Sequence, residues 1–221
     1  MLSVLSLLET RVLGVLAEKE RTVPDTYPLT LNALIAGCNQ KTSRDPVINA
    51  TETEVQAAVD SLKAMNLVIE SSGGRVARYT HNIERVLQVP KQAAALLAVL
   101  MLRGAQTAGE LRINCERLHH FADISSVEGF LRELAERAAG ALVAELPRQA
   151  GSRENRWVHL LSGPPAAQEV APRASMPVVE EGGVAASEIA AMKANVARLQ
   201  AEVSELKALV AKVCSELGIK G

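Results

Sequence analysis

Basic and polar side chains at predicted loops and turns are the residues of this chain best suited to chemistry. Guanidinium and ammonium groups bind phosphate oxygens, and loop tips are where a helical DNA-binding module approaches the duplex backbone. The candidates lie in the loop after the second predicted helix and in two predicted β-hairpins. They are Asn39, Gln40, Lys41, Arg44, Arg75, Arg78, Arg148, Arg153 and Arg156. This set predicts contact with nucleic-acid phosphates.

A second interpretation competes with the first. Surface arginines are commonly solvated, and these could pair with carboxylates such as Asp45 and Glu154. The third predicted helix of each module, which enters the major groove in many DNA-binding proteins, has an acidic or neutral outer face. Those faces carry Glu52, Gln56, Asp60 and Lys63 in the first half, and Glu128, Arg132, Glu133, Glu136 and Arg137 in the second. Because carboxylates repel phosphates, these faces favour a protein partner over base readout.

Metal binding and catalysis find less support. Cys115 and His119 are one helical turn apart, a spacing that can hold a metal ion, but Cys38 occupies the equivalent place in the first half without a histidine. Small core cysteines are therefore the favoured interpretation. The sequence has no Ser/His/Asp arrangement, no carboxylate pair framed for acid–base work and no glycine-rich phosphate loop before a helix. It predicts no enzyme, no cofactor and no metal.

An internal duplication positions these residues. The second predicted helices align at a shift of 77, which pairs Thr30 with Thr107, and the third align at a shift of 72, which pairs Val55 with Val127. The first helices align at a shift of 84. The shift falls because the first copy has longer loops. One such loop, 39–47, is absent from the second copy, so it is a stronger functional candidate than the hairpin arginines. Its structural alternative is a turn formed by Asp45 before Pro46.

Each copy has the pattern of three helices followed by a β-hairpin, which is the winged helix-turn-helix arrangement. The first copy predicts helices over about 5–20, from Thr30 to 38 and over 51–66, with strands at 67–71 and 75–81. The second predicts helices over 93–103, from 107 and over 125–137, with strands at 141–146 and 157–161. Capping boxes are predicted at Thr51 with Glu54, Thr107 with Glu110, and Ser125 with Glu128.

A heptad pattern follows a segment rich in proline, glycine and alanine. Its apolar residues alternate spacings of three and four, with β-branched residues at the a positions, which favours a parallel two-stranded coiled coil. A single helix packing back onto its own domains is the alternative. The predicted dimerisation residues are Ile189, Met192, Val196, Leu199, Val203, Leu206, Val210, Val213 and Leu217.

Composition bounds the class and compartment. The chain has 221 residues, a net charge of −1 and only 2% aromatic residues, so its cores are aliphatic and it lacks the basic excess of a sequence-tolerant nucleic-acid binder. Three unclustered cysteines suit a reducing cytoplasm. The N-terminal segment lacks a basic leader and a cleavage site, and no apolar run approaches the ~18–20 residues of a membrane span. We therefore expect a cytoplasmic protein without membrane contact.

Six strings of the sequence, at 27–34, 38–47, 102–112, 146–148, 151–154 and 159–161, match a known pattern. They resemble the YceH-like family, a bacterial group whose function is unknown. The resemblance covers about residues 5–162 and implies a pair of winged-helix domains, without implying an activity, a cofactor or catalytic residues.

The predicted fold is mainly α with small β-hairpins, built from two tandem winged helix-turn-helix domains plus a C-terminal coiled-coil helix. The domains span 1–88 and 89–162, a flexible linker spans 163–187, and the coiled coil spans 188–218. The predicted function is a DNA-binding regulatory-type module that contacts phosphates through its hairpins and the 39–47 loop. The alternative is an interaction scaffold that docks protein partners on its third helices. In both, the chain pairs with itself.

Overall fold

Apolar periodicity and side-chain caps set the helices of this chain, as seen in a computed structural model that describes residues 4–71, 76–148 and 154–164. The first copy contains α1 (Leu7–Thr22), a 3-10 helix (Pro24–Thr26), β1 (Leu29–Thr30), α2 (Leu31–Cys38), α3 (Glu52–Ala64), β2 (Val68–Ser71) and β3 (Arg78–His81). After α4 (Ile83–Leu87), the second contains α5 (Lys91–Arg103), α6 (Ala108–Cys115), α7 (Ile124–Ala135), β4 (Val143–Leu146) and β5 (Arg156–His159). The mainly helical fold with small antiparallel sheets is confirmed.

Two of the three predicted capping boxes are confirmed. The Thr51 and Thr107 side chains accept hydrogen bonds from the backbone N–H groups of Glu54 and Glu110, whose carboxylates accept from the two capping residues. A third box, Ser6 with Glu9, opens α1 and was not predicted. Each box satisfies backbone donors that a helix start leaves without partners.

The predicted cap at Ser125 is wrong. The residue that caps α7 is Asp123, whose carboxylate accepts from the backbone N–H of Ser126 at 2.7 Å. Asp123 corresponds to Thr51 at the shift of 72 that relates the third helices. An aspartate two residues earlier supplies the stronger acceptor, so the helix begins at Ile124 and Ser125 lies in its first turn.

The two copies also share their strand pairing. In the first, β3 lies between β1 and β2, with Leu29 opposite Tyr79. In the second, β4 pairs with β5, and a single bridge joins Gln106 to Trp157 at the equivalent place. Each copy therefore has the order helix, short strand or bridge, helix, helix, hairpin. The winged-helix interpretation of this order stays a prediction.

One continuous apolar core joins the copies. α1 packs against α5, and the approach is close at Gly14, where an added Cβ atom would lie 3.0 Å from Cγ of Leu102. The buried cluster runs from Leu5 to Leu161, and the backbone N–H of Leu5 donates to the carbonyl of Leu161 at 2.8 Å. The predicted boundary between residues 88 and 89 thus falls inside a shared core, and its standing as a domain boundary stays a prediction.

Several predictions concern residues 165–221, which lie outside the described residues. They include most of the linker and all of the coiled coil with its dimerisation residues. In the part that the structure describes, no helix combines the length and apolar character needed to cross a membrane.

Candidate functional site

Arg44, the predicted phosphate contact at the centre of the 39–47 loop, is buried in an internal ion pair. Its guanidinium donates to both carboxylate oxygens of Glu18, at 2.6 and 3.1 Å, and to the carbonyl of Gly37 at 3.1 Å. Burial alone would raise the pKa of Glu18, but hydrogen bonds and charge from Arg44, aided by Lys19, outweigh it and leave that pKa below its usual value. These partners give Arg44 a structural role.

Other residues of the 39–47 loop also form hydrogen bonds within the protein. The Asn39 side chain accepts from the backbone N–H of Ala50 at 2.7 Å and donates to its carbonyl at 2.8 Å, which ties the ends of the loop together. Gln40 donates to Thr42 and accepts from Lys19. The backbone N–H of Asp45 donates to the carbonyl of Leu102 at 2.8 Å, so the loop is hydrogen-bonded to the second copy.

Arg11 holds the 39–47 loop through hydrogen bonds to its backbone. The sequence analysis did not identify this residue. It is fully buried, and its guanidinium donates to the carbonyls of Cys38 and Pro46 at 3.1 and 2.6 Å. It lies in the first helix among apolar residues, a pattern that gives no sign of a partner 35 positions away. A charged residue on an otherwise apolar helical stripe was the one available signal.

The hairpin arginines divide into three groups. Arg78 donates to the carbonyl of Pro28 at 2.7 Å, and Arg156 donates to the carbonyl of Ala105 and to the carboxylate of Glu110 at 2.8 and 3.0 Å. Arg148, like Lys41 in the loop, is exposed. Arg75 and Arg153 lie outside the described residues. Among the predicted cations that the structure describes, Arg44 and Arg156 line one pocket, to whose lining Lys41, Arg78 and Arg148 do not contribute. Nucleic-acid contact stays a prediction.

Cys38 and Cys115 are both buried, as core cysteines would be. Burial raises the pKa of each thiol to about 12. His119 packs edge-on against Phe121, with the ring centroids 4.7 Å apart. Among the described residues, no three histidine, cysteine or acidic side chains come together as a metal site would require.

An open groove lies along the outer face of α3, where the sequence places its acidic residues. It has a volume of about 500 Å³ and is lined by Leu31 of α2 and by Glu52, Gln56, Ala57 and Asp60 of α3. Gln56 donates to Asp60 at 3.1 Å. We call it groove 1. It combines an apolar floor with a carboxylate at either end.

A second groove of about 410 Å³, which we call groove 2, lies at the equivalent place in the second copy. Its apolar lining is Ala108, Ile124 and Trp157, and its charged lining consists of three glutamates and one arginine. The charged residues are Glu128, Glu145, Arg148 and Glu154. Glu145 accepts a hydrogen bond from Asn155 at 2.8 Å.

The repeat alignment shows that the two grooves correspond. The shift of 77 pairs Leu31 with Ala108, and the shift of 72 pairs Glu52 with Ile124 and Gln56 with Glu128. Sequence reasoning identified the acidic outer faces but missed the grooves, because each floor includes a residue from the preceding helix. Applying the shift of the second helices and the shift of the third helices together would have revealed that the two copies have corresponding grooves.

Comparison with known proteins places the chain among bacterial relatives. The family model described as protein of unknown function, DUF480, matches residues 5–152. A UPF0502 protein of Dechloromonas aromatica is 61% identical over 210 residues, 93% of this chain and 94% of the relative. A UPF0502 protein of Methylibium petroleiphilum is 62% identical over 218 residues, which cover 99% of this chain and 92% of the relative. A UPF0502 protein of Burkholderia multivorans is 59% identical over 215 residues, which cover 96% of this chain and 88% of the relative.

The matched span covers the first copy of the repeat, most of the second copy, and most of the strings that resemble the YceH-like family. That resemblance is thereby confirmed. The chain belongs to the DUF480 family, together with the bacterial UPF0502 proteins.

Proposed function

We propose that this chain is a protein-interaction module, without catalytic activity of its own, in which groove 1 docks a basic segment of a partner protein. The observation that carries the proposal is the exposed acidic outer face of α3 over an apolar floor. In the same proposal the predicted coiled coil pairs two chains, so that one assembly presents the docking face twice.

Charge supports a basic occupant. Glu52 and Asp60 are eight residues apart on α3, which places them about 12 Å apart along the helix axis. Two basic side chains four residues apart in an extended segment span a similar distance, about 13 Å. A partner of this kind pairs one cation with each end of the groove and lays small side chains over Ala57.

The contacts of the arginines support a protein occupant over DNA. Arg44, Arg78 and Arg156 donate to acceptors within the protein. Phosphate binding would have to compete with those contacts, including the buried ion pair of Arg44. A duplex placed against α3 would also bring phosphates towards Glu52 and Asp60.

Binding of a defined peptide tests the proposal. The probe is fluorescein-labelled Lys-Ala-Ser-Ala-Lys, with Glu-Ala-Ser-Ala-Glu as its charge-reversed control, measured by anisotropy. We expect the full-length protein to bind the lysine probe alone, and Glu52→Lys with Asp60→Lys to weaken that binding at least about tenfold, which equals about 1.4 kcal/mol.

The matched control reverses two exposed carboxylates that line neither groove, Asp25→Lys with Glu133→Lys. Its net charge equals that of the groove variant, so it separates local from general electrostatics. Equal weakening in the two variants, or no binding of the lysine probe by the wild-type protein, overturns the proposal.

DNA binding is the second candidate, and the exposed side chains of Lys41 and Arg148 favour it. If both contact phosphates, Lys41→Ala with Arg148→Ala should weaken binding to all duplex sequences alike. The slope of log K against log salt should then fall by up to about two units. An unchanged slope removes these cations from the phosphate-contact set.

A further inference from the structure

We infer that groove 2 is a second docking site, which takes an extended partner segment carrying a large apolar side chain beside a lysine or arginine. The inference rests on the proposed function, since groove 2 is the equivalent of groove 1 in the repeat. It goes further because the lining of groove 2 specifies a different ligand.

The apolar lining sets the first requirement. Where α3 has Glu52, α7 has Ile124, whose side chain is 45% exposed. An added Cβ atom at Gly109 would lie 3.9 Å from Cδ1 of Ile124, so Ile124 lies over bare backbone of α6. With Ala108 and Trp157, which are 6% and 7% exposed, Ile124 forms the apolar strip of groove 2. A leucine-sized side chain would cover the exposed part of this strip, and covering exposed apolar surface is favourable.

The charged lining sets the second requirement. Three glutamates against one arginine give groove 2 a net charge of −2, from −3 and +1. Glu128 pairs with Arg132 at 3.2 Å, but the two side chains are 41% and 65% exposed, so solvent screens that pair. A cation beside the apolar strip would meet an acidic rim, whereas a phosphate would be repelled.

These two requirements commit the site to one occupant, a segment of a partner protein in which a basic and a large apolar residue are neighbours. Successive side chains of an extended segment point to opposite faces. An apolar residue can therefore enter the strip while the basic residues beside it reach the glutamates at the rim. Groove 1 has no exposed equivalent of Ile124, so it should not select for the apolar residue.

Trp157 provides a direct readout, because it is the only tryptophan of the chain and lines groove 2. The probe is acetyl-Lys-Leu-Lys-Leu-amide. The controls are acetyl-Lys-Ser-Lys-Ser-amide, which lacks the apolar residue, and acetyl-Glu-Leu-Glu-Leu-amide, which lacks the cation. With the full-length protein we expect a saturable change in Trp157 emission with the first peptide, and binding at least about fivefold weaker for either control.

Two variants locate the effect. Ile124→Ser should weaken binding of the Lys-Leu peptide at least about fivefold, whereas Ile69→Ser removes an isoleucine of similar exposure from β2 and should leave it unchanged. Circular dichroism confirms that both fold. No saturable emission change, or equal effects of the two serine variants, overturns the inference. So does an emission change produced by raising the protein concentration alone, which would identify a second copy of this chain as the occupant.

The two peptides distinguish failure of the groove 2 inference from failure of the function proposed for groove 1. If groove 1 still binds Lys-Ala-Ser-Ala-Lys while Trp157 does not respond to the Lys-Leu peptide, only the second site is wrong. If neither peptide binds, both are wrong.

Discussion

At the scale of single residues, a few buried charged side chains among the described residues join segments that are distant in the sequence. The Arg44 side chain is fully buried and that of Glu18 is 15% exposed, so their ion pair lies in a low-dielectric setting with further hydrogen bonds to Arg44. Arg11 holds the loop through carbonyl groups at both of its ends. Breaking such a pair leaves a buried charge without its partner, which costs more than the net stabilisation of the intact pair.

Glu18→Gln should show this in a pH-dependent way. We expect the free energy of unfolding at pH 7 to fall by about 1–3 kcal/mol, since hydrogen bonds to charged groups contribute about that much. The folded-state pKa of Glu18 is below its usual value of 4.5, so its contribution is present above about pH 4.5 and is lost as pH falls through the lowered pKa. Urea unfolding of the wild-type protein and the variant, at pH 7 and at an acidic pH below the lowered pKa, measures the difference in the free energy of unfolding. A difference that is independent of pH contradicts this account.

The buried thiols give a second prediction at this scale. With a pKa of about 12, Cys38 and Cys115 are almost wholly protonated at pH 8, with roughly one thiolate in ten thousand. Replacing the third cysteine of the chain, Cys214→Ser, leaves only these two thiols. A thiol reagent should then leave the folded variant unlabelled for minutes and label two cysteines after denaturation. Rapid labelling of the folded protein would show that one of these side chains is accessible.

At the scale of elements, local sequence signals predicted the helices well but did not predict the side-chain contacts between elements. Caps at Thr30, Thr51 and Thr107 depend on neighbours three residues away, so the sequence reveals them. The partners of Arg44 and Arg156 are 26 and 46 positions away along the chain. Nothing in local periodicity reports such contacts, which is why a loop held by internal bonds was predicted as a free functional loop.

Close packing between α1 and α2 gives a prediction for this scale. A Cβ atom at Gly37 would lie 2.6 Å from Cγ1 of buried Val15, so Gly37→Ala should destabilise the fold by about 1–3 kcal/mol. Gly129 in α7 is the matched control, because its Cβ would have no neighbour within 4 Å. Gly129→Ala should stabilise by about 0.5–1 kcal/mol, as alanine favours a helix interior. Thermal and urea unfolding compare them, and equal effects would refute the packing argument.

At the scale of the whole molecule, the duplication explains both what was predicted and what was not. The repeat is visible in the sequence because equivalent helices keep their apolar spacing. The joint between the copies is less visible, since Gly14 and the 39–47 loop interact with residues of α5 that the alignment treats as a separate module. The two grooves follow from the duplication, and their different linings follow from substitutions such as Glu52 against Ile124.

Truncation tests whether the described core folds alone and whether the predicted coiled coil forms the dimer. A chain ending at Ser162 keeps Leu161 and its bond to Leu5, so it should fold. If the heptad pattern after residue 187 forms the dimer, sedimentation should show a monomer for the truncated chain and a dimer for the full chain. A truncated chain that stays dimeric would place the main dimer contact in the core.

In the function that we propose, the acidic outer face of α3 docks protein and does not face DNA. The most direct measurement is the affinity for random duplex DNA, across a salt series, of Glu52→Lys with Asp60→Lys and of the charge-matched Asp25→Lys with Glu133→Lys. We predict that the two variants bind DNA alike at every salt concentration, because only their shared net charge acts on the duplex. A selective gain of about tenfold or more in the α3 variant would place this face against phosphates and contradict the claim.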